Sequence, residues 1–142
     1  MEGVVTLRDR AVLVTGHTGF KGGWLALWLA GLGARVHGYA LDPPTDPSLF
    51  EAAGVGRVLS SDTRADLRDL PALSACLNEF EPEVVFHLAA QPLVSEGFRD
   101  PLGTIGTNVL GTAHLLEAVR TTRSVRAVVV VATDKVYENR ET

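Results

Sequence analysis

The glycine-rich stretch GHTGFKGG, entered directly from the β-branched run Ala11 to Thr15 (AVLVT), constrains this chain more than any other feature of it. Phe20, Trp24, Leu27 and Trp28 follow at helical spacing, so the segment reads strand, tight turn, helix. Gly16, Gly19 and Gly22 let backbone approach closely, and the amino end of the following helix offers unsatisfied amides to a pyrophosphate. The spacing is GxxGxxG rather than GxGxxG, and the lysine-serine ending of an ATP-hydrolysing P-loop is missing.

The rest of the chain repeats strand and helix. Gly31 and Gly33 punctuate the first helix, and Arg35 to Leu41 reads as a second strand. Proline-rich DPPTDPSLFEAAG then runs over the surface into a short strand expected near Arg57 to Ser60. Leu73, Cys76, Leu77 and Phe80 share a helix face ended by Pro82, and VVFHLAA follows as a strand. Asp100 before Pro101 starts a helix whose apolar side carries Ile105, Val109, Ala113, Leu116 and Val119, part of it free to face another protomer. Val125 to Val131 is an apolar strand that delivers ATDKVYENRET. Five strands with interspersed helices predict an α/β, three-layer Rossmann NAD(P)-binding domain with a parallel sheet in the order 3-2-1-4-5.

Residues 1–142 suit one such domain and are too few for a second, substrate-binding one. Thirteen basic against seventeen acidic side chains, a formal charge of -4 and no basic run leave no electrostatic footprint for nucleic acid or an anionic membrane. No signal-peptide stretch opens the chain, and Trp24 to Leu32 is too short to span a bilayer. The lone cysteine, Cys76, sits among apolar residues as an inert core thiol, so the chain reads as cytoplasmic.

Candidate contacts gather at the strand ends. His17 and Lys21 lie in or beside the glycine turn, placed either to meet phosphate or nicotinamide groups or to face solvent. Ala40 occupies the place where an acidic residue ordinarily accepts ribose hydroxyls, and Asp42 follows only slightly later, so NADP is not excluded although NAD stays the expectation. Asp66 in ADLRD is placed to accept from an adenine amino group beside Leu67, or to cap a helix. Leu88, Ala89, Ala90 and Gln91 end the fourth strand with small side chains that let backbone approach a ribose or nicotinamide. His87 reads as a satisfied core histidine, and Asn108 as a polar residue within a helix that needs a local hydrogen bond. Thr133, Asp134 and Lys135 follow the last strand, where groups are often presented to a substrate; a solvated turn is the alternative. The four histidines are scattered, so no metal site is legible.

At TGHTGFKGGWLALWL, DPPTDPSLFE, VVFHLAAQPLV and TDKVYENRE the chain resembles the extended short-chain dehydrogenase/reductases, the NAD-dependent epimerase/dehydratase family, and more closely the CDP-glucose 4,6-dehydratases. The resemblance covers essentially the whole chain and implies bound NAD, with cofactor contacts from Gly16, His17, Thr18, Gly19, Phe20, Lys21, Gly22, Asp66, Leu67, Leu88 to Gln91 and Asn108. It implies oxidation of CDP-glucose at C4, elimination of water across C5 and C6, and return of hydride to C6. In that scheme Thr133 binds the C4 oxygen, Asp134 is the acid for the departing C6 hydroxyl, and Lys135 assists proton transfers around C5.

The family also uses a YxxxK motif, which this sequence lacks, and Tyr137 is not a substitute for it. A carboxyl-terminal sugar-nucleotide domain is likewise absent, so the resemblance implies a truncated chain that is inactive alone. The helix from Thr104 to Val119 contributes to subunit contacts in similar enzymes, which makes a homodimer an expectation. A noncatalytic NAD-binding protein, an assembly fragment and part of a sugar-nucleotide epimerase are the alternatives.

Overall fold

The computed structural model describes residues 6–133. Strand β1 (Ala11–Thr15) lies at the centre of a five-stranded parallel sheet in the order β3-β2-β1-β4-β5, with β2 at Arg35–Ala40, β3 at Ser61–Arg64, β4 at Val84–His87 and β5 at Ala127–Val130. Every residue of β1 is buried, as both faces of a central parallel strand must be. Its alternating side chains feed two cores. Leu13 joins Tyr39, Leu73, Leu77, Val85 and Leu115 on one face, and Val12 and Val14 join Ala26, Leu29, Val36 and Val55 on the other.

Helix α1 (Phe20–Gly31) covers the second face. It buries its small side, Gly22, Gly23 and Ala26 with Leu29, and leaves Phe20, Trp24 and Trp28 in solvent at 70%, 54% and 67% exposure. Gly23 packs closely against Leu49 and Val55: a Cβ there would stand 3.2 Å from the Leu49 side chain and 3.5 Å from that of Val55. A short helix α2 (Leu49–Ala52) is capped by Ser48, whose hydroxyl accepts from the Glu51 amide.

The third strand corrects the expected position. Val55–Arg57 is a 3-10 turn that plugs Val55 into the core, and the strand begins at Ser61 instead. Its sequence, SDTR, carries no apolar signal because it is an edge strand, and the sheet's backbone pairing with β2 defines it.

Helix α3 (Leu70–Phe80) starts at Asp69, whose carboxylate accepts from the Ala72 amide, and buries Leu73, Cys76 and Leu77. A helix α4 (Val94–Arg99), not anticipated from the sequence, fills the connection after β4. Asp100 does cap α5 (Pro101–Ile105), accepting from Gly103 N. The rod continues through a π-helical turn, Gly106–Gly111, into α6 (Thr112–Thr121). Its inward side carries Gly111, Leu115 and Ala118, whereas Ile105, Val109 and Leu116 stay exposed. No helix among the described residues is long and apolar enough to cross a membrane.

Candidate dinucleotide site

The carboxyl ends of β1, β2 and β4 converge on the glycine turn. Gly16 has φ +78°, and its amide donates to the Tyr39 carbonyl at 2.9 Å, tying the turn to β2. A Cβ at Gly16 would stand 2.7 Å from the Ala89 nitrogen, and one at Gly22 only 2.1 Å from the Gly16 carbonyl oxygen. Both glycines are therefore required where backbone meets backbone. Gly19 caps α1 without a side-chain bond, and the first turn contains no acidic residue, so its leading amides lack an intrahelical acceptor. Lys21 stands exposed beside them. This is the geometry that receives a dinucleotide pyrophosphate, and the donor set fits one.

The side chains of His17 and Thr18 turn into the protein. His17 is fully buried: its ring fills the space over Gly38, meets Phe50 edge-on at 5.6 Å, and brings Nε2 to 2.8 Å from Asp62 Oδ1. Burial pushes its pKa below the ordinary histidine value, against the pull of Asp62. Thr18 donates its hydroxyl to the Leu41 carbonyl at 3.0 Å. Phe20 projects into solvent. At the β2 end Ala40 is buried, whereas Asp42 is 90% exposed and lies 3.7 Å from Arg64.

At the β2 end, Tyr39 donates its hydroxyl to the Asp66 carbonyl, and burial pushes its pKa up to about 12. The Asp66 carboxylate is forked onto Arg68 at 2.6 to 3.1 Å and accepts the Arg68 amide, which holds it below the usual carboxylate range. The cap of α3 is Asp69, not Asp66. Leu67 is buried and packs its side chain toward Gly111, where a Cβ would come within 2.8 Å.

A buried chain of hydrogen bonds organises the β4 end. Thr112 donates to the Asn108 carbonyl at 2.7 Å, so its oxygen accepts from His87 Nε2 at 3.0 Å. His87 is thereby the Nε2-H tautomer, and its Nδ1 accepts from Thr15 Oγ1 at 2.7 Å. Thr15 Oγ1 in turn accepts the amides of Leu88 and Ala89, both at 3.2 Å. His87 is a satisfied core histidine, with its pKa lowered by burial. Asn108 makes the local bond its sequence context demands: it pairs with the Gln91 backbone through both ends of its amide. The Gln91 side chain donates to Thr104 Oγ1 at 2.9 Å and accepts from Leu93 N. Ala90 is exposed at the opening. Beside it lies a hollow of about 380 Å³ lined by Gln91, Leu93, Val94, Phe98 and Thr104.

Thr133 follows β5 at the same sheet edge and is exposed. Asp134, Lys135 and Tyr137 lie outside the described residues. The structure thus unites the glycine turn, the β4 end and Asn108, and it adds Thr15, Thr112, Asp62 and Phe50, which the sequence reading passes over. The one local signal for Thr15 is its place as the last strand residue before the turn. Asp62 carries none.

A parallel β3-β2-β1-β4-β5 sheet with a GxxGxxG turn at its carboxyl edge defines the Rossmann fold of the nucleotide-sugar dehydratases and epimerases. The chain belongs to the family described as GDP-mannose 4,6 dehydratase, whose profile matches residues 13–141. It is 52% identical over 134 residues to CDP-glucose 4,6-dehydratase of Salmonella typhimurium, covering 94% of this chain and 37% of the relative. It is 41% identical over 112 residues to UDP-glucose 4-epimerase of Mycolicibacterium smegmatis, covering 76% of this chain and 34% of the relative. Among solved structures, UDP-glucose-4-epimerase of Stenotrophomonas maltophila, with bound NAD and formylated UDP-arabinopyranose, superposes with a TM-score of 0.79 at 28% identity, covering 94% of this chain and 40% of that one. The chain therefore spans little more than a third of the length of these relatives.

Proposed function

We propose that this chain is the NAD-binding portion of a sugar-nucleotide 4,6-dehydratase acting on CDP-glucose, the overall change being loss of water to give CDP-4-keto-6-deoxyglucose. The observation that carries the cofactor assignment is the amino end of α1, without a side-chain cap, beside Gly16 and Gly22, where backbone meets backbone too closely for side chains. The 52% identity to a CDP-glucose 4,6-dehydratase supports the substrate class.

When bound, NAD supplies reversible hydride storage, taken up from C4 of the sugar and given back at C6. The chain's own residues bind and orient. The α1 amides hold the pyrophosphate with Lys21 beside them, Asp66 and Leu67 border the adenine, and Leu88 to Gln91 back the ribose and nicotinamide. Asn108 keeps Gln91 in place. Thr133 binds the C4 oxygen, Asp134 protonates the departing C6 hydroxyl, and Lys135 assists removal of the C5 proton, which the neighbouring ketone makes more acidic.

The YxxxK base of similar enzymes is missing from the sequence, so turnover is proposed to require polypeptide beyond these 142 residues. The exposed Ile105, Val109 and Leu116 side of the α5 to α6 rod supports pairing with a second copy, and the lone unpaired cysteine supports a cytoplasmic setting.

Calorimetric titration of NAD into the cofactor-stripped chain tests the assignment. Saturable binding without conversion of CDP-glucose is the expected result. Absence of binding by demonstrably folded chain would overturn it.

A further inference from the structure

His17 is buried under the phosphate turn, yet nothing in a turn of glycines obliges a ring to lie there. Its place is made by three other elements. Gly38 on β2 leaves the room, since a Cβ there would sit 2.5 Å from the ring. Phe50 on α2 closes one edge at 5.6 Å. Asp62 on β3 reaches the Nε2 atom at 2.8 Å.

Asp62 is itself braced. Arg64 donates to its two carboxylate oxygens at 2.9 to 3.2 Å, and the guanidinium lies 4.5 Å over the Phe50 ring. The remaining Arg64 nitrogen turns to the Leu41 carbonyl, the same oxygen that accepts from Thr18. Among the described residues neither His17 nitrogen makes an aligned hydrogen bond, so the close Asp62 contact is the ring's one polar anchor. A buried imidazole without that anchor has no electrostatic reason to remain in place.

We infer that Asp62 is a positioning residue for the cofactor: acting through His17, it holds the phosphate turn against β2 and so sets the affinity of the α1 amino end for a pyrophosphate. The inference rests on the dinucleotide reading above. It assigns no contact between Asp62 and the cofactor. A residue that acts only through the turn should affect phosphate-bearing ligands and leave a bare nucleoside indifferent.

The test uses the chain, Asp62→Asn, His17→Gln and the double variant, each titrated with NAD, ADP-ribose and adenosine. Asp62→Asn is expected to weaken NAD and ADP-ribose about five- to tenfold, while adenosine binding is unchanged. In the His17→Gln background the same change is expected to have no further effect, since the two residues act as one unit. Equal losses for all three ligands, or additive losses in the double variant, would overturn the inference.

Amide exchange in the free chain provides a readout that does not need cofactor. The Gly19 amide donates to the Gly16 carbonyl across the turn at 3.1 Å, and Asp62→Asn is expected to speed its exchange about tenfold while the β1 amides keep their rates. If the unsubstituted chain fails to bind NAD, the dinucleotide reading falls, and the Gly19 rate still decides whether Asp62 holds the turn. An unchanged rate overturns the role.

Discussion

Asn108 and Gln91 clasp each other across the β4 end: the Asn108 Oδ1 accepts the Gln91 amide at 2.8 Å and its Nδ2 donates to the Gln91 carbonyl at 3.0 Å. Asparagine thereby substitutes for a neighbouring strand, satisfying both backbone groups of a residue that has just left the sheet. The clasp sits in the π-helical turn, where the extra residue per turn lets a helical side chain reach sideways.

Replacing Asn108 with alanine leaves both Gln91 backbone groups without partners. We expect a loss of about 2 kcal/mol in denaturant unfolding and a weaker affinity for NAD. Asn108→Asp keeps the acceptor and forfeits the donor, so it should fall between the two. Equal stability of the alanine variant and the parent would refute the clasp.

The tautomer assigned to His87 is directly observable. Nitrogen-15 spectra of the ring should show a protonated Nε2 and a bare Nδ1, because Thr112 has already committed its hydrogen to Asn108. His87→Phe keeps the bulk but leaves the Thr15 hydroxyl hydrogen without its acceptor and the Thr112 oxygen without its ring donor, with an expected cost of about 1 to 3 kcal/mol. A protonated Nδ1 would contradict the direction of the whole chain of bonds.

Acid should unfold this domain early. His17, His37 and His87 are buried with pKa values below the ordinary 6.5, desolvation being the leading cause for each. The unfolded chain therefore takes up protons near pH 6.5 that the folded chain refuses. Stability is full above that value and declines as pH falls below it, until the folded sites protonate too. Urea midpoints measured from pH 8 to pH 5 should drop below about 6.5, and flat midpoints over that range would contradict the burial of the three rings.

Two glycines of one helix should respond oppositely to alanine. At Gly22 the added Cβ would stand 2.1 Å from the Gly16 carbonyl oxygen, so the turn must shift. We expect destabilisation of about 2 kcal/mol or more and loss of NAD binding. At Gly31 nothing lies within 4 Å of the added carbon, and Gly31→Ala should stabilise by up to about 1 kcal/mol with affinity unchanged. Thermal melts and NAD titrations of both variants decide the matter.

The local elements were largely legible because their signals are local. AVLVT before the glycine turn, Pro101 after Asp100, and the Leu73, Cys76, Leu77 stripe each need only their neighbours, and all form where expected. The sheet order follows from parallel strands joined by short crossovers. Signals borrowed from other segments misled. The third strand is expected near Arg57 to Ser60, which holds Val58 and Leu59, although a 3-10 turn runs over Val55–Arg57 and the strand is polar SDTR. The aromatic spacing of α1 correctly marked a helix, yet the side that meets the sheet is the one with glycines and alanine.

What the sequence determined by itself was the strand, the glycine turn and the helix that follows it, because a glycine turn between strand and helix constrains backbone through its own φ and ψ. What only the tertiary structure decided was where the turn's side chains go. His17, in a cofactor motif, points into the protein because Gly38 leaves a void and Asp62 faces it across two strands. Asp66 is engaged by Arg68, and His87 is locked between two threonines from β1 and α6. Spacing along the chain prescribes dihedral angles and periodicity, but a side chain's partner is whichever group the sheet brings within 3 Å, and that proximity exists only once the strands have paired.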